Sequence, residues 1–366
     1  MFLSRRMFTA ICLMLLMVFS SCTAEPRAKT ETQEAWTIAV IPDTQYYVRN
    51  DRDAPLFTEI TQWLVDHQET LNLQLVLHVG DIVDLNETKQ WDHAKASLQV
   101  LDGQLPYVLA VGNHDLGRNS SDRSTMLNDY FSISDNPLNE AIFGGAFEEG
   151  CLENAWYRFQ YGNRDYIIFS LEFGPRAEVV EWADGVAAAH RDASFILVTH
   201  EFIDQESTLF SDDGQALRTT RNSKNSPYSY GISKQGPVHS GQELWDAFVS
   251  RYSNFEMVLN GHYKAFEKTG PTPADVKELR NDLAASYRSD TYDDGRVVHQ
   301  MLFNAQWAPR GGEGWIRLLE FQPDGKTVHV KTVSPYLMRT AEDPSKAYKT
   351  GADMQFTLTL PEPMKK

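Results

Sequence analysis

The sequence predicts an α/β chain: one domain of two stacked mixed β-sheets with helices outside them, four layers in all. Three observations lead there. From Trp36 onward, apolar runs of strand length alternate with stretches of helical spacing. The early runs are continuously apolar, the pattern of strands covered on both faces in a largely parallel sheet. The last part is β-rich, and no internal repeat organises the chain.

Taken in order, Trp36 to Pro42 is an apolar run that ends in Asp43, and residues 56–69 carry helical spacing through Leu56, Ile60, Trp63 and Leu64. Leu73 to Val79 is a second strand ending at Gly80-Asp81, residues 87–101 form an amphipathic helix, and Tyr107 to Val111 is a strand ending at Gly112-Asn113. Residues 116–155, rich in Gly, Asn, Asp and Ser, read as a long loop region over a site. Ala155 to Tyr161 and Asp165 to Leu171 flank Gly162-Asn163, a hairpin signal. A helix near Val179 to Arg191 precedes the strand Ser194 to Thr199, which ends at His200. Residues 203–240 are polar and aperiodic, too long for a plain connection, and read as a lid or mobile loop. Gln242 to Tyr252 is helical, and Phe255 to Leu259 is a strand ending at Asn260-Gly261-His262. Thr272-Pro273-Ala274-Asp275 reads as the capped start of another helix. Late strands follow at Val297 to Phe303, Gly314 to Phe321 and Thr327 to Val333, the last two joined by a Pro323-Asp324-Gly325 turn.

The first residues read as an address. Arg5 and Arg6 precede an apolar stretch from Phe8 to Phe19 that is too short to span a bilayer, and Ser20-Ser21-Cys22 closes it. Residues 1–21 are expected to be a cleaved export signal with a lipobox-like end, with Cys22 lipidated, although an ordinary signal cut near Ala24 fits the same residues. Ser4 to Phe8 also resemble a twin-arginine motif, so the export route stays open. Residues 22–34 are a tether, and 35–366 a single domain. The expected location is the bacterial cell envelope, held to the membrane through the N-terminal lipid only. Loss of residues 1–21 removes two arginines and no acid, leaving 32 basic against 50 acidic residues and a net charge of −18. Such a surface gives no footprint for nucleic acid. Cys151 would be the one thiol left besides Cys22, so no disulfide framework supports the fold.

Five strands finish in residues of metal-binding type. These are Asp43 in Pro-Asp-Thr-Gln, Asp81 in Gly-Asp-Ile-Val-Asp, Asn113-His114 in Gly-Asn-His-Asp, His200 in Thr-His-Glu, and His262 in Gly-His-Tyr-Lys. Ligands of open α/β sheets sit beyond the carboxyl ends of the strands, so these groups can converge across long sequence gaps. A carboxylate between two cations bridges them, and imidazoles and an amide oxygen complete the shells. Such a site acidifies a water, polarises a phosphoryl oxygen and clamps an in-line displacement. The sequence holds no Gly-x-Ser-x-Gly elbow, no phosphate-cradling Gly-x-x-x-x-Gly-Lys segment and no His-Glu-x-x-His.

The order of these motifs resembles the calcineurin-like metallophosphoesterases, over roughly residues 36–340. The resemblance implies Asp81 as bridging ligand, with Asn113, His200 and His262 on one metal and Asp43 on the other. It implies His114 as the group that meets the phosphate and protonates the leaving oxygen, with Asp115 orienting it. The cofactor would be one or two divalent ions (Mn, Fe, Zn or Co), and a metal-bound hydroxide would attack phosphorus. Two positions depart from the family pattern. Gln45 and Lys264 stand where histidines are usual. Gln45 still offers an amide oxygen, and some bacterial members look similar in having Asp-Thr-Gln. Lys264 cannot ligate while charged, so the first metal site is expected to be weakened, with the Lys264 ammonium replacing part of the cation's charge.

His299 and Arg310 either line the pocket and hold an anionic substrate together with Lys264, or are a sheet histidine and a turn arginine. His78 reads as a core or supporting histidine, Asp84 as a solvated acid, and Tyr46 and Tyr47 as pocket wall or packing. The expected function is hydrolysis of a phosphomonoester or phosphodiester, small or carried on a lipid or saccharide. The alternative, favoured by Gln45 and Lys264, is a surface-anchored binding or scaffold protein with a degenerate metal site. Oligomeric state is not legible.

Overall fold

Strands β1 (Trp36–Ile41), β2 (Leu73–His78) and β3 (Tyr107–Leu109) pair in parallel at the centre and one edge of a seven-stranded sheet. The other edge is antiparallel and comes from the end of the chain. Its strands are numbered β13 (Ile316–Phe321), β14 (Thr327–Val333), β15 (Tyr348–Lys349) and β16 (Phe356–Thr359), with β13 beside β1. The second seven-stranded sheet runs in the order β11 (Ala284–Thr291), β12 (Val297–Asn304), β8 (Phe255–Asn260), β7 (Ser194–Val198), β6 (Arg164–Ser170), β5 (Ala155–Tyr161), β4 (Phe143–Ala146). Its four middle strands, β12, β8, β7 and β6, are parallel, with antiparallel strands at both edges. Both sheets are therefore mixed, each with a parallel centre. A two-stranded ribbon, β9 (Phe266–Lys268) with β10 (Val276–Glu278), completes the strands among the described residues.

This computed structural model describes residues 34–206, 215–270, 276–279 and 281–364, all within one unit, Gln33–Lys366. The export signal, nearly all of the tether, the expected cap at 272–275 and part of the 203–240 stretch lie outside the described residues. No helix among the described residues is long and apolar enough to cross a membrane.

Strand alternation builds the layers. In β1, Ile38 and Val40 point between the sheets and meet Leu75, Leu77, Ile168, Ile196, Val198 and Met257. Ala39 and Ile41 point outward, against Phe57, Ile60 and Leu64 of the helix Ala54–Asp66 and Trp91 and Leu98 of the helix Thr88–Leu98. On the second sheet, Phe169, Phe195 and Leu197 are covered by Val180 and Ala183 of the helix Ala177–Ala189 and by Leu244 and Phe248 around the helix Gly241–Ala247. With roughly 1.5–3 kcal/mol per buried aliphatic or aromatic side chain, two-faced burial holds the parallel strands firmly. Their C-terminal ends become a rigid platform.

Three local expectations change. Residues 276–278 form β10 rather than helix, paired against Phe266–Lys268, in a ribbon too short to show periodicity. Residues 116–155 are not all loop: they hold the helices Leu127–Tyr130 and Pro137–Ile142 and the strand β4. The edge strand β11 went unread because its second half is polar and only partly buried.

Candidate metal centre

The register of the parallel strands levels the platform. Ile41 pairs with His78 and His78 with Leu109, so the loops carrying Asp43, Asp81 and Asn113 leave one sheet at one height. On the other sheet Val198 pairs with Leu259, and Leu302 with Asn260. The residues just beyond those ends are His200, His262 and Asn304. Thr44 and Gln45 donate their backbone N–H groups to the Asp81 carbonyl (3.0 and 2.9 Å), tying the first two loops together. Asp81 (φ 51°) and His262 (φ 74°) both sit in the left-handed region that non-glycine residues seldom adopt, a strain maintained by surrounding structure.

Asp81 is the hub. Its Oδ1 accepts from the His114 backbone N–H (2.9 Å) and lies 3.2 Å from His200 Nε2, while its Oδ2 accepts from Gln45 Nε2 (2.9 Å). Asp43 accepts from the His262 backbone N–H (3.1 Å) and from Asn304 Nδ2 (2.8 Å). His200 Nδ1 is bound to the Val79 carbonyl (2.8 Å), so that nitrogen carries the proton and Nε2 is the one turned to Asp81. His262 is oriented in the opposite sense: Nε2 is bound to the Asn225 carbonyl (2.9 Å) and Nδ1 lies 3.2 Å from His200 Nε2. Phe173 and Tyr230 pack on the His262 ring, with centroids 5.3 and 6.3 Å away.

The electrostatics show what this cluster lacks. Burial pushes Asp43 well above the usual carboxylate range despite the opposing pull of His200. Burial also works against ionisation of Asp81, but the imidazoles of His200, His114 and His262 outweigh it and hold that carboxyl far below its ordinary value. Burial alone would lower His200; Asp81 and Asp43 instead raise it to about 9. His262 falls to about 3 through burial and the neighbouring His200. A proton on His200 is therefore the positive charge that offsets the buried Asp81 carboxylate.

These residues fit a divalent cation. Ligand atoms of Asp81, His200 and His262 all lie within 4.8 Å of one another. Asn113 Oδ1 and Gln45 Oε1 are buried without a hydrogen-bond partner, two carbonyl oxygens of the kind that ligate. The set mixes carboxylate, amide and imidazole donors, each imidazole fixed through its other nitrogen, as in metal sites.

The expected site residues divide into those that meet and those that do not. Asp43, Gln45, Asp81, Asn113, His114, His200 and His262 come together. Asp115 lies beneath them: its carboxylate accepts from the N–H groups of Val83 (2.9 Å) and Gly112 (2.8 Å), and burial with the Asp81 charge raises it to about 7. The acid beside His114 is Asp84, which is buried rather than solvated. His114 Nδ1 is 2.7 Å from the Asp84 carbonyl and 3.4 Å from its Oδ1, and Arg49 Nε holds Oδ2 at 2.6 Å. Lys264 does not stand in for a cation. Its ammonium is 3.0 Å from Glu278 Oε1 and 4.2 Å from the Trp307 ring centre.

His299 lies five residues before Asn304, about 16 Å along an extended strand, where it bonds Tyr287 (2.8 Å) and the Thr359 carbonyl (3.1 Å). Arg310 is bound to Asp53 (3.1 Å) and to the Arg52 carbonyl (3.2 Å). His78 supports the floor through Thr44 Oγ1 (3.0 Å) and the Gly80 N–H (3.2 Å). Tyr47 is core, its hydroxyl accepting from the Gly314 N–H (2.9 Å), whereas Tyr46 meets Trp307 edge-on at 4.9 Å. Asn304, the last residue of β12, and Gln306 just beyond it were missed although they follow the same strand-end pattern; Asn225 and Tyr230 come from the aperiodic stretch.

A family profile for calcineurin-like phosphoesterases matches residues 37–264, a span holding every ligand candidate from Asp43 to His262. Over 337 residues, 91% of the chain, the sequence is 30% identical to the uncharacterized protein YvnB of Bacillus subtilis, and it spans 22% of that protein's length. Among solved structures, the purple acid phosphatase PPD1 from yellow lupin (Lupinus luteus) seeds aligns with 89% of this chain and 54% of its own, at TM-score 0.48 and 15% identity. A dimetal phosphatase from Danio rerio aligns with 89% of this chain and 99% of its own, at TM-score 0.46 and 12% identity.

Proposed function

The chain belongs to the calcineurin-like phosphoesterases, and on that premise we propose that it is a metal-dependent hydrolase that cleaves phosphomonoesters or phosphodiesters at the cell envelope, with His114 as the group that protonates the leaving oxygen. The carrying observation is the convergence of Asp81, His200 and His262 with two partnerless buried amide oxygens, Asn113 Oδ1 and Gln45 Oε1. Divalent ions in such a site supply an acidified water and a Lewis acid for the phosphoryl oxygens. Asp43, Gln45, Asp81, Asn113, His200 and His262 would hold them. His114 Nδ1 donates to the Asp84 carbonyl with Asp84 Oδ1 3.4 Å away, and the doubly protonated ring gives its Nε2 proton to the departing oxygen as the P–O bond breaks, leaving the neutral Nδ1–H ring. Arg49 fixes Asp84, and its guanidinium lies 3.7 Å over the Tyr46 ring, so this side of the site is braced.

The test is turnover of an aryl phosphate and an aryl phosphodiester with added Mn²⁺. Asp81→Asn should remove both bound metal and activity, while His114→Ala should lower kcat by about 10²–10⁴ with metal content unchanged. Turnover that survives both Asp81→Asn and chelation would refute the reading, and no metal-dependent turnover on a broad phosphoester panel would favour the scaffold alternative.

The envelope location rests on Arg5, Arg6, the apolar stretch and Ser20-Ser21-Cys22. In a bacterial host, Cys22→Ala should move the protein from the membrane fraction to the soluble one. Identical fractionation of variant and wild type would end the lipid-anchor reading.

A further inference from the structure

Beside the ligand set, four side chains that hold no metal form one stack. Tyr46 follows Gln45 and Trp307 follows Gln306; the two amides are hydrogen-bonded to each other, and the rings that follow them meet edge to face with centroids 4.9 Å apart. A cation lies over each ring. The Arg49 guanidinium is 3.7 Å from the Tyr46 centroid, and the Lys264 ammonium is 4.2 Å from that of Trp307. Each cation is also held by one acid. Arg49 donates Nε (2.6 Å) and Nη2 (2.8 Å) to Asp84, and Lys264 donates Nζ to Glu278 (3.0 Å). Ring and carboxylate together fix two long side chains, so their rotamer freedom is already lost before a ligand arrives. Neither head is sealed, since the Arg49 side chain is 43% exposed and that of Lys264 30%. The fork to Asp84 leaves Arg49 Nη1 over, and Trp307 Nε1 is buried with no acceptor among the described residues. On a chain of net charge −16, this wall presents donors and positive charge.

Its position decides which part of a substrate it meets. Asp84 Oδ1 lies 3.4 Å from His114 Nδ1, so a single carboxylate separates Arg49 from the group assigned to the leaving oxygen. The scissile phosphoryl belongs over the metal ligands; what lies beside His114 is the leaving group. Resting on the hydrolase reading above, we propose that the leaving group of the substrate carries a second negative charge, a carboxylate or a phosphate, which Arg49 Nη1 binds and the Lys264 ammonium attracts. A planar guanidinium can hold one anion along each edge, and Asp84 fills only the edge of Nε and Nη2. Arg49 and Lys264 are the specificity-determining residues, and Tyr46 and Trp307 are the positioning residues beneath them.

The test uses non-hydrolysable probes that differ only in that charge. A benzylphosphonate with a para-carboxymethyl group, its neutral carboxamide and a para-phosphonomethyl analogue are titrated calorimetrically into the protein supplemented with Mn²⁺. An anionic probe should bind about tenfold or more tightly than the carboxamide, as a charge-assisted hydrogen bond allows. The carboxylate and phosphonate arms separate the two anions, and preference for either supports the proposal. The matching aryl phosphates should show the same preference in kcat/KM. Arg49→Met should bring the preference close to one, Lys264→Met should lower it severalfold, and Arg49→Lys, which keeps the charge without the planar fork, should retain part of it. Lys277→Met removes an equal charge from β10, where an exposed Lys277 meets Glu267 (3.4 Å), and should leave the preference where it was. Arg49 also braces Asp84, so its variants lower turnover of every substrate; the ratio between probes isolates recognition. Equal affinity for charged and neutral probes, no measurable binding of the charged ones, or a preference that survives both Arg49→Met and Lys264→Met would overturn the proposal. Because binding needs no turnover, the two readings fail separately. Preference without hydrolysis sinks the hydrolase reading alone; hydrolysis of charged and neutral aryl phosphates with equal kcat/KM sinks this one alone.

Discussion

A single Cβ decides how closely the loops of the centre approach one another. Added at Gly112, it would overlap the amide and carboxylate of Asp81; added at Gly185, in the middle of the helix Ala177–Ala189, it would meet nothing within 4 Å. The two glycines therefore have opposite meanings. Gly185→Ala should stabilise the protein by roughly 0.5–1 kcal/mol, because a helix-interior glycine loses more backbone entropy than alanine and nothing opposes the methyl. Gly112→Ala should destabilise it by about 1–3 kcal/mol through overpacking and, by moving Asp81, abolish metal binding. Urea unfolding with parallel metal counts measures both, and a Gly112→Ala protein that keeps wild-type metal content would refute the close-approach argument. The left-handed backbones of Asp81 and His262 belong to the same logic: with strained φ angles, both residues depend on their neighbours to hold the geometry.

At the scale of elements, the strands separate stability from chemistry. Their N-terminal ends carry a buried ion network in which Glu256, second residue of β8, accepts from Arg164 (2.6 Å), Tyr166 (3.0 Å) and Ser194 (2.7 Å). The same strand delivers His262 at its other end. That strand-end rule is why much of the centre was legible. Asp43, Asp81, Asn113, His200 and His262 each follow an apolar run, and the expected runs coincide with β1, β2, β3, β7 and β8 to within a residue or two. The two stacked mixed sheets with outer helices were legible for the same reason, since continuous apolar runs have only one buried setting. What escaped reading depends on partners that sequence spacing does not disclose. Asp84 looks like any polar residue after a strand until the loop folds it beneath His114 and Arg49. Asp115, adjacent to His114 in sequence, turns the other way to receive backbone N–H groups. Asn304 and Gln306 end an apolar run as the metal-type residues do, but amides are common at strand ends, so the signal was present and unspecific. Asn225 acts through its carbonyl, which any residue possesses.

For the molecule as a whole, protons and metal compete for one buried charge, and this sets how stability varies with pH. Without metal, burial holds the Asp43 carboxyl above its ordinary range, and Asp81 and Asp43 raise His200 to about 9 against the burial of its own ring. Both groups are raised in the folded chain, so the folded state binds protons that the unfolded state releases. The stability they contribute is fully present below their unfolded values and is lost as pH climbs; for His200 the window runs from about 6.5, its unfolded value, to about 9. A bound cation replaces that proton, so metal affinity should rise across the same window while the stripped chain weakens. At a hundredfold excess over its dissociation constant, an ion that binds only the folded state adds about 2.7 kcal/mol, worth several degrees of Tm for a chain of this size. Thermal unfolding with and without chelator at pH 6, 7, 8 and 9 should therefore show a gap that widens from about pH 6.5 to 9. A gap that stays constant or narrows over that range would mean that His200 carries no displaceable proton, and that the buried carboxylates are neutralised by some other route.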